Sequence, residues 1–280
     1  MRLLALLLTL LLAAPVAAAL SPSVLLRRLD QPDGPSYLLV PHPCLQQRRC
    51  PLMVVSHPRG QSAERLLQST PFSAYVEALT GADIAVLLSN DGGPTGWGRP
   101  AALTRLDELH RESVAQFQYS GHTYAFGVSM GGLTALRSAL AGPYPVSGVV
   151  LLDAWADLRV AWAVPGSHRR ELEEAYVLSG PMPPTLDPLV LAEAGPRLPL
   201  LVMGSRDDAV VPFMDNGLPL FERAAAPGVS TLVTLHGPHL GGSHFSPALA
   251  QRVVQFVTAL ERLDGGCEDA CGAPDQLVEP

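Results

Sequence analysis

The chain of 280 residues is 48% hydrophobic with a formal net charge of −7, so it can bury one large core and has no electrostatic basis for gripping nucleic acid or an anionic membrane surface. All 19 basic residues are arginine. A chain without lysine cannot supply a Schiff base, a pyridoxal-phosphate linkage, a Ser-Lys dyad or a Walker A phosphate loop.

Arg2, the leucine-rich run over 3–12 and the small residues ending Ala17-Ala18-Ala19 form the charged, apolar and cleavage regions of a secretory leader over residues 1–19. They predict a mature protein that is secreted or periplasmic, with no stable membrane insertion after cleavage. Residues 20–280 are expected to form a single domain. Runs at 24–29 and 36–40 flank a turn-rich Asp30-Gln31-Pro32-Asp33-Gly34-Pro35 and predict an antiparallel hairpin.

Apolar runs then follow at 52–55, 84–88, 124–128, 149–152, 198–203 and 231–235, separated by helical stretches. Near-continuous apolar strands alternating with helices predict an α/β fold with a mostly parallel central sheet covered on both faces. Two helices are expected near 100–117 and 247–263, the second from Val253, Val254, Phe256, Val257 and Leu260 at helical spacing. The stretch 154–197 is longer than a crossover needs and predicts a small cap-like insertion, with Trp155, Trp162 and Tyr176 as candidate lining residues.

Four cysteines in an exported chain suit an oxidising compartment, and local bridges Cys44 to Cys50 and Cys267 to Cys271 are the preferred pairing. Their spacing is not the usual C-x2-C of a metal site, and no metal is expected. The tail from Asp264 onward is expected to be irregular apart from its bridge.

Gly127-Val128-Ser129-Met130-Gly131-Gly132 follows an apolar run and precedes a helical stretch, the context of a nucleophile elbow in which a serine sits on a sharp strand-to-helix turn. A serine hydroxyl needs a base, and the base needs a carboxylate to orient it. Asp207 is the favoured acid at the end of an apolar strand, with Asp208 next and Asp153 third. Among His236, His239 and His244, the favoured base is His244, just before the last helix, with His239 in reserve. The oxyanion donors are expected to be the amides of Met130, directly after the serine, and of Arg59 in Ser56-His57-Pro58-Arg59-Gly60, because Pro58 has no N–H. Trp97 and Trp155 are possible walls of the substrate pocket.

With serine, acid and base in this order, the chain resembles the α/β-hydrolase superfamily over nearly all of its mature length. Gly127 to Gly132 is similar to the G-x-S-M-G-G of esterases and lipases. The Asp-Asp-x-Val-Val-Pro pattern at Asp207 to Pro212 is similar to that of prolyl-oligopeptidase-type hydrolases, where the first aspartate belongs to the triad. Ser56 to Gly60 resembles the S-H-G-x-G loop of dienelactone-hydrolase-like enzymes, with Pro58 in place of a glycine. The resemblance implies cofactor-free hydrolysis of a small-molecule carboxylic ester through an acyl-enzyme. The alternatives are a peptidase or amidase acting on small peptides, and a non-catalytic binding protein of the same fold.

Overall fold

The computed structural model describes residues 23–271, with side chains as far as residue 263. The expected leader lies outside the described residues, as do the side chains of Cys267 and Cys271. Within them, the eight apolar runs become β1 (Val24–Leu29), β2 (Ser36–Pro41), β3 (Cys50–Ser56), β4 (Ala85–Ser89), β5 (Tyr119–Val128), β6 (Gly148–Leu152), β7 (Leu200–Ser205) and β8 (Thr231–Leu235). They form one sheet in the order β1-β2-β4-β3-β5-β6-β7-β8. β1 with β2 and β2 with β4 are antiparallel, and the other neighbours are parallel.

Among the described residues ten α-helices lie in and after the connections: α1 (Pro43–Gln46), α2 (Ala63–Leu67), α3 (Thr70–Gly81), α4 (Pro100–Val114), α5 (Gly131–Ala141), α6 (Leu158–Ala163), α7 (Ser167–Tyr176), α8 (Pro188–Ala194), α9 (Gly217–Ala224) and α10 (Pro247–Cys271). Both faces of the sheet are covered, which is why the central strands are apolar at successive positions and not only at alternate ones. On one face Phe72, Tyr75, Val76 and Leu79 of α3 and Val253, Val254, Phe256, Val257 and Leu260 of α10 pack on Met53, Val55, Phe126 and Val150. On the other, α4, α5, α8 and α9 cover the alternate residues, among them Val54, Ala125, Leu151 and Val202. The expectation of an irregular tail is corrected at its start, because α10 runs on to Cys271. Cys44 and Cys50 form the expected bridge and tie α1 to the first residue of β3.

Register sets the site. Ser56 pairs with Gly127 and Val128 with Leu152, so β3, β5 and β6 end at a common edge, with the loops after them side by side. Of the long stretch 154–197, α6 and α7 pack with Trp97, Met130, Leu133 and Trp155 beside that edge, whereas Leu189 and Ala192 of α8 return to the sheet.

Two aspartates anchor this stretch. Asp157 accepts from the amides of Arg159 and Val160 at the start of α6, and Asp187 accepts from the Leu189 amide at the start of α8, both as N-caps. Arg159 bridges the two carboxyl groups, 2.8 Å from Asp157 Oδ2 and 2.6 Å from Asp187 Oδ2. Burial and the neighbouring Asp157 push the Asp187 carboxyl up to about 6. An acid whose pKa is raised by folding stabilises the fold when protonated, so the contribution is complete below about pH 4 and is lost as pH rises through about 6. The Tm of Asp187→Asn is therefore expected to match the wild type near pH 4 and to exceed it increasingly toward pH 7.5; a constant difference in a pH series of thermal melts would refute this.

Candidate active site

Ser129 follows β5 directly and has φ +53°, a left-handed backbone that costs a non-glycine residue about 1–3 kcal/mol. Its backbone is held on both sides: its N–H donates to Leu152 O at 3.0 Å, and its carbonyl accepts from Gly132 and Trp155, each at 3.0 Å. The turn requires close backbone approach. A Cβ on Gly127 would collide with the Gly132 Cα, and one on Gly131 with the Ser56 carbonyl, so neither position admits a side chain. The 11-residue α5 starts immediately after, directing its positive end at the serine.

The Ser129 hydroxyl donates to His239 Nε2 at 2.9 Å, and His239 Nδ1 donates to Asp208 Oδ2 at 2.6 Å. The carboxylate fixes the tautomer, leaving the Nε2 lone pair facing the hydroxyl. Burial pushes the Asp208 carboxyl up, but hydrogen bonds from His239 and from the Val211 and Val210 amides outweigh it and hold the group below the usual carboxylate range. Those two amides bind Oδ1 at 2.8 and 2.9 Å as an Asx turn, which leaves Oδ2 for the histidine.

The structure thus joins Ser129 to His239 and Asp208, the second choices, and corrects the expected pairing with His244 and Asp207. Asp207 has a side chain 60% exposed and accepts from the Gly237 amide at 2.9 Å. Its own N–H turns back onto Ser205 Oγ, so the inward carboxylate belongs to the next residue. His244 is buried, with Nδ1 2.6 Å from Asp153 Oδ2 and Nε2 2.9 Å from the His236 carbonyl. With both ring nitrogens engaged, it has no atom left for the serine.

Asp153, third choice as the acid, instead organises the loop after β8. Its carboxylate accepts from the amides of Ser205 and Leu240 as well as from His244, and Tyr75 OH donates to the His244 carbonyl at 2.7 Å. His239 therefore sits on a segment fastened immediately after it.

A pocket of about 460 Å³ opens over Ser129 and His239, with Leu66, Phe72, Trp155, Leu240 and Phe245 as its apolar walls and Arg59 and His168 as polar ones. Trp155 lines this pocket. Trp97 is not a wall residue: it is fully buried behind Trp155, with ring centroids 6.5 Å apart. In the loop after β3, the His57 ring nitrogens lie 2.7 Å from the Pro58 carbonyl and 3.0 Å from the Asn90 carbonyl, and the His57 amide donates to Asp91 Oδ2. Among the described residues, the N–H groups of Arg59 and Met130 have no hydrogen-bond partner.

Neither family models nor curated protein sequences show a match to this chain. Solved structures do. Est1E from Butyrivibrio proteoclasticus superposes with a TM-score of 0.63 at 15% identity, covering 85% of this chain and 99% of that one. FphF, a fluorophosphonate-binding serine hydrolase of Staphylococcus aureus, gives 0.65 at 17% identity over 84% and 98%. Esterase B from Lactobacillus rhamnosis gives 0.66 at 14% over 90% and 91%. The chain has the α/β-hydrolase fold.

Within this fold, Glu171 is a site residue that the sequence does not mark. It lies on α7 and accepts from both Arg59 and Trp97. Nothing local marks it, since Ser167-His168-Arg169-Arg170-Glu171 looks like any solvated helix start. The buried Asp153 and the exposed Asp207 also make a contrast that can be measured. Removing a buried acceptor and leaving its donors unpaired costs about 1–3 kcal/mol, more for a charged group, whereas a change at an exposed position costs within about 0.5 kcal/mol. Asp153→Ala is expected to lower the urea midpoint by the larger amount and Asp207→Ala by the smaller, and comparable shifts would contradict the assignment.

Proposed function

We propose that the protein is a serine hydrolase that cleaves a carboxylic ester through an acyl-enzyme, with Ser129 as nucleophile, His239 as general base and acid, and Asp208 as the residue orienting His239. The observation that carries this reading is the unbroken chain Ser129 Oγ, His239, Asp208, at 2.9 and 2.6 Å, opening into a pocket with both apolar and polar walls. As Ser129 Oγ bonds to the ester carbon, its proton passes to His239 Nε2, and the imidazolium is stabilised by Asp208. The carbonyl oxygen becomes an oxyanion that the free amides of Arg59 and Met130 are available to bind. Collapse of this intermediate breaks the ester bond, and His239 returns the proton to the departing alkoxide. Water then gives its proton to His239 and attacks the acyl carbon; the bond from that carbon to Ser129 Oγ breaks, the acid leaves, and His239 returns the proton to Oγ.

The similar structures named as esterases and as a serine hydrolase support the same chemistry. No residue in this scheme calls for a cofactor. We place the protein in an oxidising, extracytoplasmic compartment, a reading supported by the leader-like start of the sequence and the Cys44–Cys50 bridge. Among the described residues, no helix is long and apolar enough to cross a membrane.

The test is hydrolysis of short p-nitrophenyl esters. Ser129→Ala and His239→Ala are expected to abolish turnover in folded protein. Asp208→Asn, which takes away the charge that sets the tautomer, is expected to lower kcat by about ten thousandfold, while Asp207→Asn stays within about twofold of wild type. Full activity in Ser129→Ala would overturn the proposal, and equal losses at the two aspartates would overturn the choice between them.

A further inference from the structure

Arg59 is tied to the rest of the molecule in an unusual way. On either side of it the loop is pinned through the backbone: the His57 amide donates to Asp91 and the Gly60 amide to Pro94 O at 2.8 Å. Pro58 has no N–H to contribute. Arg59 itself makes no backbone hydrogen bond among the described residues. Pro58 O accepts from the Gln61 N–H at 3.1 Å, closing a turn with Arg59 and Gly60 at its centre, and the Arg59 side chain adds the tie from this turn to α7.

The guanidinium meets Glu171 of α7 as a fork, with Nε donating to Oε2 at 2.7 Å and Nη2 to Oε1 at 2.5 Å. Nη2 also donates to Ser167 Oγ at 2.9 Å on the same helix. A bidentate arginine-carboxylate pair fixes orientation as well as distance. Glu171 is itself immobilised, because Trp97 Nε1 donates to Oε2 at 3.0 Å from a fully buried ring. Farther along α7, Tyr176 OH donates to the Trp97 carbonyl at 2.7 Å. One carboxylate on α7 therefore joins the loop after β3 to the loop after β4.

We propose that Glu171 is a positioning residue for the reaction: by holding the Arg59 guanidinium it sets where the Arg59 N–H points, so that the seating of α7 is a condition for binding the oxyanion. This rests on the ester-hydrolase reading and on the Arg59 amide as an oxyanion donor. The Arg59 side chain, which also lines the pocket, acts on the oxyanion through its own backbone. Removing it leaves the N–H held by the Pro58–Gln61 turn but no longer tied to α7, and misplacing a reacting group by about 1 Å can cost up to about a hundredfold in rate. The loss should fall on kcat, since the oxyanion exists only in the transition state and the intermediate.

The experiment compares kcat and KM for p-nitrophenyl acetate in the wild type, Glu171→Gln, Arg59→Gln and the double variant, at a temperature where melts show each to be folded. Each single change is expected to lower kcat about tenfold with KM within about twofold, and the double variant to be no worse than the poorer single one, because both break one contact. An unchanged kcat, a loss confined to KM, or losses that multiply would overturn the proposal. Should Glu171→Gln fail to fold, Arg59→Lys against Arg59→Gln carries the same test. Lysine keeps a charge for Glu171 and is expected to retain more turnover, and equal turnover overturns the proposal. An inert wild type would instead remove the hydrolase reading itself, and the role of Glu171 with it.

Discussion

The strained backbone of Ser129 is the constraint around which the molecule is arranged. A serine at φ +53° returns to an ordinary conformation unless its surroundings forbid it. Here β3, β5 and β6 end in register, α5 begins at once, and Gly127, Gly131 and Gly132 remove every side chain that would keep these backbones apart. The buried rings of Phe72, Tyr75 and Phe126 pack against one another beneath the sheet edge, with centroids 5.3–5.9 Å apart, and make that edge rigid. Without this packing the hydroxyl would have no fixed position, and the distances to His239 and Asp208 would have no meaning.

Each loop at this edge is stiffened by a buried carboxylate. Asp91 takes the Ser56 hydroxyl and the His57 amide, Asp153 takes His244 and two amides, and Asp208 takes His239 and two amides. Burial alone would neutralise such groups, as the raised pKa of Asp91 indicates. At Asp208 the converging donors outweigh that tendency. A single device, an acid collecting neighbouring N–H and O–H groups, is used three times, and only one of the three reaches the serine.

The fold was legible because period and order are global properties. Each of the eight apolar runs became a strand, and the glycines around Ser129 marked the turn. Even α3 was visible in principle, since Phe72, Tyr75, Val76 and Leu79 recur at helical spacing after Ser69, which caps the helix. The choice between adjacent candidates was not legible. Asp207 and Asp208 differ only in which way one residue of turn faces, and that is decided by Ser205 Oγ capturing the Asp207 amide. His239 and His244 differ by whether Asp153 claims the ring, a contact spanning 91 residues of chain. The pairing of Arg59 with Glu171 spans 112. Local pattern carries no record of such meetings.

β3 has a different task at each end. Cys50, its first residue, is covalently tied to Cys44, while Ser56, its last, opens the loop that bears Arg59. Six residue steps at about 3.3 Å each put these ends roughly 20 Å apart. The bridge also closes a sequence separation of only 6 residues, for which the entropic gain is smaller than for a long loop. The strand thus insulates reaction chemistry from redox chemistry: a change of thiol state at the floor of the sheet has a rigid, fully buried segment to cross before it reaches the serine, and the two can vary independently.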